Sequence, residues 1–225
     1  MNEAQIQSLF DSIAEKYDLT NDFLSFGLHR LWNRRFIASL PQSAPAILDL
    51  CCGTGELTLR YESPHSHYTL LDFSHEMLEI ARFRLEKTTK KHTIVQGNAK
   101  SLPFRDASFD LVMVSYGVRN IDDTKKCFEE VRRVLKPGGT FAILELTRPQ
   151  NRILRFLHSF YLKALVPQMG RVITSNKDAY QHLKESITTF MDADKVLQEL
   201  NETGFTTKAK RSYHGGIASA LICTN

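Results

Sequence analysis

The residues best suited to chemistry begin at Asp49. A short apolar run, Ala46–Leu50, ends in Cys51-Cys52-Gly53-Thr54-Gly55, and a helix-like segment, Glu56–Tyr61, follows. Gly53 and Gly55 make a tight turn whose backbone can pass close to a ligand, because no side chain stands in the way. Asp72 closes the next apolar run, 23 positions after Asp49. A carboxylate at that place in an open α/β sheet can accept hydrogen bonds from a ribose. The turn is not the complete G-x-G-x-x-G of dinucleotide-binding proteins, since position 58 is Thr58. A dinucleotide is therefore the weaker reading, and a ligand-free strand-to-helix turn is the bland one. Cys51 and Cys52 read as small residues that fit the turn rather than as nucleophiles. Cys127 and Cys223 stand apart, and no metal-type spacing appears, so no metal is expected.

These residues need elements to position them. Residues 3–40 carry helical spacing, first Ile6, Leu9, Phe10, Ile13 and Tyr17, then Leu28, Leu31, Trp32 and Phe36. A joint over 19–27 separates the two sets, and the whole reads as a helical arm. After Ala46–Leu50 the apolar runs recur at Tyr68–Leu71, Thr93–Gln96, Phe109–Ser115 and Thr140–Leu146. Helical segments lie between them: Met77–Leu85, with Ser74 as its cap, and Asp123–Leu135, stopped by Lys136-Pro137-Gly138-Gly139. Strands alternating with helices predict a parallel sheet covered on both faces. Residues 150–190 break the rhythm and read as a helical lid insert. Asp192–Asn201 is a further helix, and Phe205–Lys210 with Ile217–Cys223 predict an antiparallel finish.

Composition bounds the answer. At about 150 residues per domain, 225 residues predict one domain, 1–225. The chain is 42% hydrophobic and 24% charged, which excludes a disordered tail, a fibrous repeat and a disulfide scaffold. Lys and Arg number 29 against 25 Asp and Glu, a formal charge of +4. That is too mild to argue for nucleic acid, although it permits attraction to an anionic membrane surface. No secretory signal and no apolar run of membrane-spanning length is seen, and four cysteines suit a reduced compartment, so a cytoplasmic location is expected.

The loop Asp49-Leu50-Cys51-Cys52-Gly53-Thr54-Gly55 resembles the first motif of class I S-adenosylmethionine (SAM) methyltransferases, with Cys51 where the first Gly often sits. Gln96-Gly97-Asn98-Ala99, Asp106-Ala107-Ser108-Phe109-Asp110 and Arg132-Arg133-Val134-Leu135-Lys136-Pro137-Gly138-Gly139 match later stations of that family in order. Two segments narrow the resemblance. Tyr17 through Trp32 is similar to the N-terminal signature of the UbiE/MenG quinone C-methyltransferases, and Arg133–Thr147 to their second signature. Tyr116-Gly117-Val118-Arg119-Asn120 and Tyr180 through Ile187 also resemble that family. The likeness covers about residues 10–205. Thr20 stands for a usual Met, Thr147 for a usual Ser, and Gly215–Leu221 lacks the His-Arg-Gly that often follows the last strand.

The resemblance implies an α/β, Rossmann-like, mostly parallel seven-stranded sheet with helices on both faces. It implies methyl transfer from SAM to a ring carbon of a prenylated hydroquinone. Carried over by motif, the cofactor contacts are Gly53, Thr54, Gly55, Asp72, Asn98 with Ala99, and Ser115. The acceptor carbon becomes nucleophilic when an adjacent phenol loses its proton, so the site needs a base or a cation. Arg119, just past strand four, is the first candidate, with pairing to Asp122 or Glu145 as its structural alternative. His29 is the second candidate, because its ordinary pKa lies near working pH, with a packed structural histidine as the alternative. Tyr17, Asn21 and Tyr180 are candidates to line the ring pocket. In Arg152–Ile173, basic residues interleave with apolar ones, which suits a prenyl tail or the inner face of a membrane.

The expected substrate is demethylmenaquinol. A benzoquinol of the ubiquinone pathway is the alternative ring, and a non-catalytic SAM-binding partner of quinone enzymes is the alternative of another class. A membrane surface and a second copy of the chain are the further partners to consider; nucleic acid is not among them.

Overall fold

The computed structural model describes residues 2–165 and 177–225. Its centre is a seven-stranded sheet in the order β3-β2-β1-β4-β5-β7-β6. The strands are β1 Ala46–Leu50, β2 His67–Asp72, β3 Lys91–Gln96, β4 Phe109–Ser115, β5 Leu135–Leu146, β6 Thr206–Tyr213 and β7 Ala218–Thr224. The first five pair in parallel, and β7 runs antiparallel to both β5 and β6. The expected class, a mostly parallel sheet with an antiparallel finish, is what the chain forms. Chain order reverses between β1 and β4, so their carboxyl ends leave the crevice in which such sheets bind ligands.

Helices α1 Glu3–Ile13, α2 Tyr17–Leu24 and α3 Leu28–Ile37 make the arm. Then come α4 Glu56–Arg60, α5 His75–Leu85, α6 Thr124–Val134, α7 Arg152–Phe160, α8 Lys177–Thr189 and α9 Ala193–Glu202. On one face of the sheet, α6 packs through Phe128, Val131 and Val134, and α9 through Val196 and Leu200. On the other, α3 contributes Trp32 and Phe36, and α5 contributes Leu78, Ala81 and Leu85. β1 is buried on both faces, which explains its unbroken apolar run. Ser74 and Asp123 cap their helices by accepting from Met77 N and Lys126 N, and Asp192 caps α9.

Two sequence expectations need correction. The joint over 19–27 is mostly helix: α2 runs to Leu24, and only Ser25–Gly27 turns, with Gly27 at φ +74°. Tertiary anchors outweigh local turn propensity there. Asp18 accepts from Thr54 Oγ1 and pairs with Arg84, while Leu24 is buried. Further along, α6 ends at Val134, one residue short of the expected Leu135, and Lys136–Gly139 continues as strand where a turn was expected. Leu135 is already extended and pairs with Phe109, and the Gly-Gly segment lies inside β5, where the register shifts. Of the expected lid, residues 166–176, with Pro167 and Arg171, lie outside the described residues, as does the side chain of Tyr180. Among the described residues no helix is long and apolar enough to cross a membrane.

Candidate active site

The carboxyl ends of β1, β2 and β4 open into a cavity of about 740 Å³. Asp72 ends β2 at its edge. Its carboxylate is buried and accepts from Gly53 N at 2.8 Å and Ser74 N at 3.0 Å. Burial pushes its pKa up, and these backbone donors pull it back. Deeper in the sheet, Asp49 accepts from Thr58 Oγ1 at 2.6 Å and Thr58 N at 3.2 Å, which ties β1 to α4. Burial raises its pKa to about 7. Asp49 thus holds the loop from behind, while Asp72 faces the cavity.

The backbone at these strand ends is unusual. Cys51 at φ +52° and Tyr116 at φ +57° are left-handed without being glycine. Between them, a Cβ on Gly117 would sit 2.6 Å from Cys51 Cβ. Gly117 is therefore what lets the two strand ends close side by side. Gly53 has φ +53° and lines the cavity; the nearest atom to an added Cβ there is Tyr17 Cε1 at 4.0 Å, so a side chain would enter the open space. Gly55 packs instead, with an added Cβ 3.3 Å from Ala81 Cβ.

The structure brings Gly53, Asp72, Asn98, Ala99 and Ser115 around this one cavity. Thr54 and Gly55 stand behind the loop, and the Thr54 hydroxyl is spent on Asp18. Asn98 Nδ2 donates to Glu3 Oε1 at 3.1 Å. Helix α1 roofs the cavity with Ile6 and Phe10 and is tied down at three points. Glu3 pairs with Lys100, Gln7 donates to Phe73 O, and Ser74 Oγ donates to Asp11. Sequence patterning could not find this roof, because none of its contacts is local.

Tyr17 and Tyr116 line this cavity and also a second one, of about 670 Å³. The second cavity is walled mainly by apolar groups from α2, α3, the segment 158–162, and α8, among them Leu24, Trp32, Leu162, Leu183 and Ile187. Arg119 and His29 both line it, so the two catalytic candidates share a cavity. The Arg119 side chain is 6% exposed and pairs with Glu145, 1% exposed, at 2.8 Å; Asp122 pairs with Lys100 instead. Arg119 also donates to Tyr116 O, yet its Nε is buried without a partner. Thr20 Oγ1 is likewise unpartnered, in a smaller adjoining cavity that Arg119 and His182 also line. His182 was legible only as part of the family resemblance.

His29 Nδ1 lies 2.8 Å from Ser25 Oγ. The Ser25 proton is already donated to Asn21 O, so Nδ1–H is the donor and the neutral ring carries its lone pair on Nε2. Burial lowers the His29 pKa, and Asp22, 3.7 Å from Nε2, opposes that. Burial also raises the pKa values of Tyr17 and Tyr116, keeping both phenols protonated. No cluster of three or more groups suited to a metal occurs among the described residues.

A family model described as the ubiE/COQ5 methyltransferase family matches residues 1–225. The chain is 42% identical to the demethylmenaquinone methyltransferase of Chlamydia caviae, over 98% of this chain and 96% of that protein. It is 36% identical to the ubiquinone/menaquinone biosynthesis C-methyltransferase UbiE of Pseudoalteromonas translucida, over 96% and 88%. Among solved structures, a methyltransferase of Haloferax volcanii in complex with the Trm112 activator superposes with a TM-score of 0.71 at 18% identity, over 97% of this chain and 96% of that one. A SAM-dependent methyltransferase of Aquifex aeolicus gives 0.65 at 15% identity, over 95% and 97%. These two likenesses are of fold.

Proposed function

Because the chain belongs to the ubiE/COQ5 methyltransferase family, we propose that it methylates a ring carbon of demethylmenaquinol, with SAM in the cavity at the ends of β1, β2 and β4. The observation that carries this reading is the wall shared by the two cavities. Tyr17 and Tyr116 line both, so a methyl donor in one and an apolar ring in the other meet across two side chains. Relatives at 40–42% identity carry the demethylmenaquinone name, which favours the naphthoquinol over the benzoquinol. We take 1–225 as one methyltransferase domain whose arm completes the cofactor cavity.

The cofactor cavity fits SAM. Asp72 offers a buried carboxylate for ribose hydroxyls, Ile6, Phe10, Leu71 and Met77 offer apolar walls for a flat base, and Gly53 leaves room beside Ser115. SAM supplies a methyl group on a sulfonium sulfur. Arg119 lines the acceptor cavity, and its guanidinium is placed to hold the acceptor's ring oxygen as a phenolate. Glu145 holds the guanidinium in position. His29 Nε2 takes the phenol proton, and Asp22 stabilises the resulting imidazolium. The imidazolium returns that proton to the ring oxygen when the newly methylated carbon loses its own hydrogen to water as the ring regains aromaticity. Tyr17 and Tyr116 orient the ring, and the apolar walls exclude water and accept the start of a prenyl tail.

The test is to incubate the purified protein with methyl-labelled SAM and a demethylmenaquinol analogue, then locate the label by fragmentation. Label on the ring carbon is expected. Label only with a benzoquinol would move the substrate to the ubiquinone pathway. SAM binding with no label on either ring would favour the non-catalytic reading.

A further inference from the structure

Helix α7 is built inside out. Ile153, Phe156, Leu157 and Phe160 recur at the spacing that normally faces a core, yet all four are exposed, Ile153 and Phe156 by 72% and 71%. The inner side of the helix is accounted for separately. Leu154 packs on Gly215, where an added Cβ would lie 2.3 Å from Leu154 Cδ2, and His158 lines the acceptor cavity. Helix α2 and the turn after it have the same character on their outer side: Leu19 and Phe23 of the helix and Phe26 of the turn are exposed, Phe26 by 73%.

The two faces meet. The rings of Phe26 and Tyr161 lie 6.3 Å apart, and Tyr161 OH donates to Leu24 O. Leu24, His158, Tyr161 and Leu162 line the acceptor cavity, so the exposed apolar side chains border the elements that enclose it. An apolar surface of this kind needs an occupant.

Charge identifies the occupant. From position 146 to 177 there is not one Asp or Glu, while Arg148, Arg152, Arg155, Lys163, Arg171 and Lys177 fall in that stretch. Arg152, Arg155 and Lys163 are exposed, and none has a carboxylate partner among the described residues. Among the described residues, the Arg155 side chain bonds to the carbonyls of Pro149 and Gln150. An apolar stripe flanked by unpaired cations is complementary to acyl chains beneath anionic headgroups. A second copy of the chain would bring Arg152, Arg155 and Lys163 against three like charges.

We propose that the outer faces of α7 and α2 dock on an anionic lipid bilayer, which sets the acceptor cavity against the membrane that carries its substrate. The purpose of docking rests on the acceptor reading above, but the docking itself does not. The experiment is co-sedimentation of the full chain with vesicles of phosphatidylcholine, with and without one-third phosphatidylglycerol. Binding to the anionic vesicles is expected, weakening as salt rises. The paired substitution Phe156→Ser with Phe160→Ser should weaken it at least about tenfold. Arg152→Glu with Arg155→Glu should abolish the preference for phosphatidylglycerol. None of these four residues lines the cofactor or the acceptor cavity, so SAM affinity and methylation of a short-chain, water-soluble quinol should stay at wild-type level. Circular dichroism checks that the variants fold.

Failure of the wild type to bind, or equal binding by the Phe156/Phe160 variant, would overturn the proposal. So would a wild-type dimer in light scattering that the same substitutions dissociate, because a second copy would then be the occupant. If docking behaves as expected but the soluble quinol is not methylated, the acceptor reading fails and the docking surface stands.

Discussion

The two cavities are built by different means. The one at the strand ends is made largely of backbone: Gly53, Gly97 and Gly117 set its floor, and Asp72 is held by two main-chain N–H groups. The acceptor cavity is made of side chains from helices widely separated in the chain, with a buried ion pair, Arg119–Glu145, at its polar end. A backbone site constrains which residues fit and tolerates little. A side-chain site can be reshaped by substitution while the sheet stays intact. On the function proposed above, the same division separates binding the methyl donor from choosing and activating the acceptor.

The largest effect that would break this comparison is on turnover. Arg119→Ala should lower kcat by roughly 10²–10³-fold and leave SAM affinity, read by calorimetry, within about threefold of wild type, a margin within surface-level perturbation. A matching loss in both would mean that the cavities are not separable. Stability should fall as well, because Glu145 would be left buried without its cation. Arg119→Lys retains a charge and should recover the stability more fully than the turnover, since an ammonium lacks the fork that reaches Glu145 and the ring oxygen together.

Asp72→Ala should do the converse. SAM affinity should drop by about 10–100-fold, the worth of hydrogen bonds to a charged group, with no change in quinol KM at saturating SAM. A Gly117→Ala variant sharpens the backbone side. Its Cβ would collide with Cys51 Cβ, and thermal unfolding should show a cost of about 1–3 kcal/mol, as for other overpacked sites.

The remaining effect concerns pH. Asp49 titrates near 7 in the folded chain and at its ordinary value of 3.8 when unfolded. Between these values the folded state holds the proton and the unfolded state does not, so this group's contribution to stability falls as pH rises from about 4 to about 7. Asp49→Asn should remove a slope of about 1.4 kcal/mol per pH unit from denaturant-measured stability in that window. An unchanged slope would show that Asp49 is ionised behind the glycine loop.

Much of the first cavity was legible because its parts are local. Gly53, Asp72, Asn98 and Ser115 each stand at the end of a strand or in the turn after one, and the alternation of runs and helices reveals strand ends. Thr54 was less legible, since the same motif position can face the cavity or, as here, face Asp18. The acceptor cavity was legible only in names. Arg119 and His29 were on the page as candidates, but nothing in their spacing placed them in one cavity, and the Glu145 pairing stood as one alternative among two.

Periodicity, glycine and proline positions, and the order of motifs therefore determined the sheet, its helices and the family to which the chain belongs, because each depends on contacts between near neighbours or on what a backbone can adopt. The tertiary structure alone decided that α1 roofs the strand-end cavity, that Tyr17 and Tyr116 line both cavities, that Arg119 Nε is buried without a partner, and that α7 turns its apolar face outward. Those outcomes depend on contacts between residues as far apart as Glu3 and Asn98 or Leu24 and Tyr161. Closing such long loops is governed by the packing of the whole chain, which no local pattern encodes.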